Sequence, residues 1–299
     1  MYEEIVKRFG IPEAARDYVK DMFTEQEIYF VENMDKPEFT KEDIATMIPS
    51  DPDFARSAYQ RGILSLASDH EEVYRLNNFY GMLDVFAISR QEVYRSFPKE
   101  VQKALDDWYF QAYLDGLDPD LTAAPTEDRV LTLDETLQFI DEQERTPYLN
   151  FCDCRSLAGD CGMPTKTCIT YRDGINTFVH RGHSQALTKE EAKDVVRQAD
   201  KDGLMHTVNS NGICNCCGDC CYLFRGQRAR SSAGLWPASK HIVSIDKERC
   251  VGCGKCARRC HLQALEMENK KVRLHGERCA GCGICATACP VQALEMKDR

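Results

Sequence analysis

Two runs of four cysteines constrain this 299-residue chain more than anything else in it. Cys250, Cys253, Cys256 and Cys260 stand at C-x2-C-x2-C-x3-C. Cys279, Cys282, Cys285 and Cys289 repeat that spacing, with Pro290 behind the last. A cubane [4Fe-4S] cluster needs four thiolates converging on one small object, and three from a tight loop with one from beyond it meet that need. Zinc also takes four cysteines, but its sites usually pair two C-x2-C arms across a gap. Two four-cysteine runs in tandem favour iron–sulfur.

The sequence around these cysteines is duplicated. Residues 249–256 read R-C-V-G-C-G-K-C and residues 278–285 read R-C-A-G-C-G-I-C. Likewise L-Q-A-L-E-M at 262–267 is answered by V-Q-A-L-E-M at 291–296. Over residues 242–296 the chain resembles the bacterial two-[4Fe-4S] ferredoxin domain. That resemblance implies paired β-α-β units related by a pseudo-twofold axis, with the clusters between them. In such domains the fourth cysteine of each run ligates the other cluster. One expected set is therefore Cys250, Cys253, Cys256 and Cys289, and the other is Cys279, Cys282, Cys285 and Cys260. Gly252, Gly254, Gly281 and Gly283 let the backbone wrap an inorganic core and aim N–H groups at its sulfurs. His261 departs from the family, which usually has proline there. It reads either as a tolerated surface substitution or as a titratable group beside a cluster.

Seventeen cysteines are too many to ignore elsewhere. The first residues are charged and carry no apolar signal-peptide core, and no run of about 18 apolar residues appears. A cytoplasmic protein without a membrane span is expected, in which cysteines serve as metal ligands rather than disulfides. The cluster load suggests anaerobic metabolism. No G-x-G-x-x-G occurs, so no integral flavin or nicotinamide site is expected.

The fold class expected is α+β multidomain: an acidic, mainly helical domain over 1–120, a small cysteine-rich α/β domain over 121–240, and the ferredoxin-like domain over 241–299. Residues 1–120 hold no cysteine and carry 13 Lys/Arg against 25 Asp/Glu. The remaining residues carry 25 against 23. Thr24 and Thr40 start helices, the first with Glu27 and the second with Asp43 three residues on. Helices are expected over 39–48 and 54–64, and alternation over 73–83 suggests a small β-ribbon. That order loosely resembles a winged helix. A net charge of −12 has the wrong sign for phosphate contacts, although Arg56 and Arg61 could make a local patch, so DNA is not the expected partner. Aromatic residues at helical spacing over 97–117, Trp108 and Tyr109 among them, read as core. Turn formers over 115–125 mark a boundary.

Nine cysteines lie between Phe151 and Tyr222. Cys152, Cys154, Cys161 and Cys168 form one group. Cys214, Cys216, Cys217, Cys220 and Cys221 crowd into eight residues. Between them Thr188 caps a helix that Gly203 stops, and a strand follows over 204–208. Adjacent cysteines cannot all reach one tetrahedral ion without strain, so one or two further iron–sulfur clusters are expected, with zinc the alternative. Cys216-Cys217-Gly218 resembles the paired motifs of heterodisulfide reductase catalytic subunits, without the rest of their spacing. The whole tract is similar to that of a group of ferredoxin-domain proteins without an assigned substrate. His180, His183, Asp153, Asp160 and Asp219 read as loop residues, with ligation or proton donation as the competing role. Arg225, Arg228 and Arg230 cluster in an expected linker over 222–240, a candidate phosphate or nucleotide site without a glycine-rich cradle. Lys255, Arg258 and Arg259 lie in the first cluster loop and suggest a docking face for an acidic redox partner.

Three functions remain open on the sequence. The first is electron transfer, with single electrons passing through the C-terminal clusters and the middle centres to or from a redox partner protein. The second is an iron–sulfur reductase acting on a disulfide or corrinoid at a middle cluster. The third is a redox-sensing winged-helix regulator.

Overall fold

Four threonines decide where four helices begin. Thr24, Thr40, Thr132 and Thr188 each accept from the backbone N–H three residues on, and the acid at that position accepts from the threonine's own N–H. These reciprocal caps satisfy N–H groups that a helix start leaves unpaired, each contributing about 1 kcal/mol. They head Glu25–Asn33, Lys41–Met47, Leu133–Glu142 and Lys189–Asp202.

A computed structural model describes residues 2–68, 72–159 and 161–299. Asp160 therefore lies outside the described residues. The chain forms two units: Met1–Tyr113 with Ser156–Ala158 and Arg172–Ser184, and Leu114–Arg155 with Gly159–Tyr171 and Gln185–Arg299. The architecture is mixed α and β. Among the described residues no helix is long and apolar enough to cross a membrane.

In the first unit, β1 (Phe39–Thr40), β2 (Leu64–Leu66) and β3 (Val73–Leu76) make a small antiparallel sheet in the order β1-β3-β2. The ribbon expected over 73–83 stops at Leu76. Asn78 accepts from the Gly81 N–H at 2.8 Å and caps a helix, Phe79–Ser89. Phe79, Met82, Leu83 and Phe86 are buried at i, i+3, i+4 and i+7, and that helical period prevails over the local alternation. Arg61 is committed to Glu27 at 2.6 Å and to the Met22 carbonyl, so it does not join Arg56 in a basic patch. His180 Nδ1 lies 2.8 Å from the Tyr59 hydroxyl and His183 Nε2 2.7 Å from the Gln60 carbonyl, all within this unit.

The second unit is built on a seven-stranded sheet. Its strands are β4 (Arg129–Leu131), β5 (Tyr148–Phe151), β6 (Lys166–Thr170), β7 (Gln185–Ala186), β8 (Met205–Asn209), β9 (Gly212–Cys216) and β10 (Ala238–Ser239), in the order β10-β4-β8-β9-β6-β5-β7. Helices Leu133–Glu142 and Lys189–Asp202 cover one face, where Ile140, Ala192 and Val196 pack with Ile169, Val208 and Ile213. Strand side chains alternate between faces. With Val208 opposite Ile213 and Thr207 opposite Cys214, the core takes Ile169, Val208 and Ile213, and the other face takes Cys168, Cys214 and Cys216. The expected linker over 222–240 carries a helix, Tyr222–Arg230, whose Leu223 and Phe224 are buried, and a fully buried Trp236.

The last sixty or so residues repeat themselves in space as in sequence. β11 (His241–Ile245) pairs antiparallel with β14 (Leu294–Asp298), and β12 (Leu265–Glu268) with β13 (Lys271–Leu274). Ala264 N–H donates to Cys260 Sγ and Ala293 N–H to Cys289 Sγ, both at 3.2 Å. Gln263 and Gln292 share a left-handed backbone at φ 52° and 51°.

Candidate metal centres

Cys260, Cys279, Cys282 and Cys285 line one pocket of the C-terminal domain, closed by apolar residues including Val243, Leu265, Ile284 and Met296. The fourth cysteine of the first run thus meets the first three of the second. Burial pushes the Cys282 thiol up to about 12, with Cys260 and Cys279 adding to the rise. Burial likewise holds Cys285 well above the ordinary thiol range, with Cys282, Cys260 and Cys279 as its charged neighbours. Among the described residues the charged groups acting on these two thiols are other cysteines, and a cationic metal core would supply the missing positive charge. Four soft donors in an apolar pocket fit a [4Fe-4S] cluster. In the other loop Cys256 is raised by burial and then by Cys250 and Cys253. Cys289 packs against the same core cluster as Cys250 and Cys256. Cys253 and Val251 are exposed, so this end of the domain faces solvent.

Of the cations on the first loop, Lys255 and Arg258 are exposed. Arg259 reaches the end of helix Lys189–Asp202 instead, donating to the Lys201 carbonyl at 3.0 Å and to that of Asp200. A guanidinium at a helix C-terminus is favoured by the helix dipole. His261 is engaged too. Its Nε2 lies 2.9 Å from the Gly203 carbonyl, and its own Cβ and carbonyl lie against Gly218, with no room there for a side chain.

The nine middle thiols divide six and three. Six thiols shift one another's titration in a ring: Cys152 acts on Cys154 and Cys168, Cys168 on Cys214, Cys214 on Cys216, Cys216 on Cys221, and Cys221 on Cys154. The circuit closes on itself. Its members come from the thiol-bearing face of the sheet (Cys168, Cys214, Cys216), from the start of helix Asp153–Ala158 (Cys152, Cys154) and from the start of helix Tyr222–Arg230 (Cys221). Cys214 is the exposed member. Backbone N–H groups point at the sulfurs: Arg155 at Cys152 (3.4 Å) and Tyr222 at Cys154 (3.5 Å). Cys161, Cys217 and Cys220 form the other group, with their sulfurs all within 4.8 Å of one another. Cys217 is driven low because Cys161 and then Cys220 donate to its thiolate, and those two are driven up in turn.

Three residues beside these thiols, Arg155, Asn215 and His206, were not singled out by the sequence. Arg155 is buried and donates to the carbonyls of Pro164 (2.9 Å) and Asn215 (2.8 Å) and to Thr167 Oγ1 (2.5 Å). Burial opposes its charge, but Cys152, Cys168, Cys217 and Cys216 outweigh that and hold it above its ordinary range. Asn215 Nδ2 donates to the Thr167 carbonyl at 2.6 Å, which turns Oδ1 toward His206 Nδ1, also at 2.6 Å. His206 Nδ1 is therefore the protonated nitrogen. Its Nε2 faces Asp200 at 3.8 Å without a hydrogen bond among the described residues. Asp153 is pushed up to about 6, by burial and then by Cys168 and Cys221. The one available signal for Arg155 and Asn215 was adjacency, since each follows or divides cysteines in a dense tract. Of the clustered arginines, Arg228 donates to the Gly218 carbonyl at 2.8 Å and Arg230 to those of Asp118 and Asp120, so both are tied to the backbone.

Residues 243–296 match the family model of the 4Fe-4S dicluster domain. Searches of curated proteins and of solved structures found no match to the chain.

Proposed function

We propose that this chain is an electron carrier, or the electron-transfer subunit of an oxidoreductase, in which a C-terminal pair of [4Fe-4S] clusters communicates with a further iron–sulfur centre held by the middle cysteines. The dicluster domain and the cysteine-rich region support an iron–sulfur electron-transfer role. When bound, such clusters take up and release electrons one at a time. The chain's own residues supply ligation, proximity and electrostatics. Cys260, Cys279, Cys282 and Cys285 would hold one cluster, and Cys250, Cys253, Cys256 and Cys289 the other. The six thiols of the closed circuit exceed what one cubane or one tetrahedral ion takes, and would hold a multi-metal centre.

The observation that carries this reading is the junction of His261 with Gly218. One residue before it is Cys260, in the pocket of the buried cluster site, and two residues before Gly218 is Cys216, a member of the closed circuit. The contact brings the two sets of sulfur ligands together through a few bonds and a single backbone contact. At the other end, exposed Cys253, Lys255 and Arg258 offer a face to an acidic redox partner protein. Anaerobic reconstitution followed by iron and acid-labile sulfide quantification tests the proposal. More than about eight irons per chain is expected, eight being the content of two cubanes. Cys282→Ser should abolish one reduced-cluster EPR signal and spare the rest. A folded chain that takes up no iron would overturn the reading.

A further inference from the structure

We infer that Cys161, Cys217 and Cys220 bind a single divalent metal ion of their own, apart from any cluster, and leave its fourth coordination position to an exogenous thiolate. Three observations converge on this. The first is separation: among the described residues the trio's sulfurs gather with one another and with none of the other six, while Cys168, Cys214 and Cys216 lie together on one face of the sheet.

The second is spacing. Thiolates on one tetrahedral ion at about 2.3 Å from the metal lie about 3.8 Å apart, whereas those of a cubane sit on different irons and spread further. The trio's sulfurs are mutually within 4.8 Å, and among the described residues no four-cysteine set of the C-terminal domain is gathered so tightly. The trio therefore has the reach of one ion.

The third is ligand count and charge. No fourth His, Cys, Asp or Glu among the described residues joins the three within that distance. Three protein ligands with an open fourth position is the form of a reactive zinc site rather than a structural one, which is closed by four. Three thiolates on a divalent ion carry a net charge of −1, and the positive charge of the buried Arg155 guanidinium favours the Cys217 thiolate. The site can therefore take one more soft anionic donor without stranding a large buried charge. Cys161 is half-exposed, which gives such a donor a way in. Thiolate matches the softness of the three donors already present.

The test uses the full chain, prepared anaerobically without thiol reductants and given one equivalent of zinc. Zinc K-edge absorption should show three sulfurs and one light atom, and 2-mercaptoethanol should convert this to four sulfurs. Cys161→Ser and Cys217→Ser should lower zinc affinity at least tenfold. Four sulfurs before thiol is added, zinc affinity indifferent to both substitutions, or a light atom that resists thiol and disappears in Asp160→Ala would each overturn the inference. Iron content and the EPR signals of the C-terminal clusters, read on the same samples, report separately on the electron-transfer proposal.

Discussion

Gly218→Ala isolates the contact on which the proposed communication between the two cysteine regions depends. The Gly218 backbone is one that alanine can adopt, so the substitution acts through space alone. A Cβ built there would lie 2.6 Å from His261 Cβ and 2.9 Å from its carbonyl oxygen. Carbon atoms in ordinary contact sit about 3.5–4.0 Å apart, so the two segments must part by about 1 Å. His261 cannot simply swing aside, because its backbone is one of the obstacles and its ring is tied to the Gly203 carbonyl at 2.9 Å. Overpacking of this kind costs about 1–3 kcal/mol, and loss of the His261 hydrogen bond adds about 1 kcal/mol. The assay is denaturant unfolding of the reconstituted protein followed by visible absorbance, with EPR of the reduced state on the same samples. Gly218→Ala should lower stability by about 2–4 kcal/mol and change the magnetic interaction between centres. Gly174→Ala, with nothing within 4 Å of its built Cβ, is the control and should stay within about 0.5 kcal/mol. Unchanged stability and unchanged EPR in Gly218→Ala would refute the reasoning.

Three further outcomes follow from buried groups. Arg155→Met removes the cation that the carbonyls of Pro164 and Asn215 share with the thiols, and should destabilise the chain by about 3–5 kcal/mol; a loss under 1 kcal/mol in thermal or urea melts would contradict the structure. Tyr171 is buried with a hydroxyl that has no hydrogen-bond partner among the described residues, so Tyr171→Phe should be neutral or stabilising by about 1 kcal/mol, and a clear destabilisation would point to an unseen partner. Asp153 has a folded pKa of about 6, above its ordinary value, so its contribution in the metal-free protein is fully present below about pH 4 and lost as pH rises through 6. Its half-buried position reduces that loss to about 1–2 kcal/mol. Asp153→Asn should flatten this pH dependence in denaturant melts, and an unaltered slope would count against it.

Local rules were legible in the sequence because they act over a few residues. The Thr-x-x-Glu and Thr-x-x-Asp boxes mark helix starts, and Gly203 ends Lys189–Asp202 at φ 96°. The duplicated cysteine runs identify the C-terminal domain, since the spacing alone brings three sulfurs onto one tight loop. The ribbon expected over 73–83 failed where two local signals competed and Asn78 capped a helix.

The partition of the middle cysteines belongs to the tertiary structure. Cys216, Cys217, Cys220 and Cys221 are neighbours in sequence, yet the outer two serve the six-thiol circuit and the inner two the trio. Pleating sends Cys214 and Cys216 to one sheet face, beside Cys168 from another strand, and the turn after β9 carries Cys217 and Cys220 away toward Cys161. Arg155 and His261 were likewise visible as letters, but their partners lie on segments as far as sixty residues away. Sequence spacing determines which sulfurs can share a loop, whereas strand register and chain crossing decide which sulfurs meet.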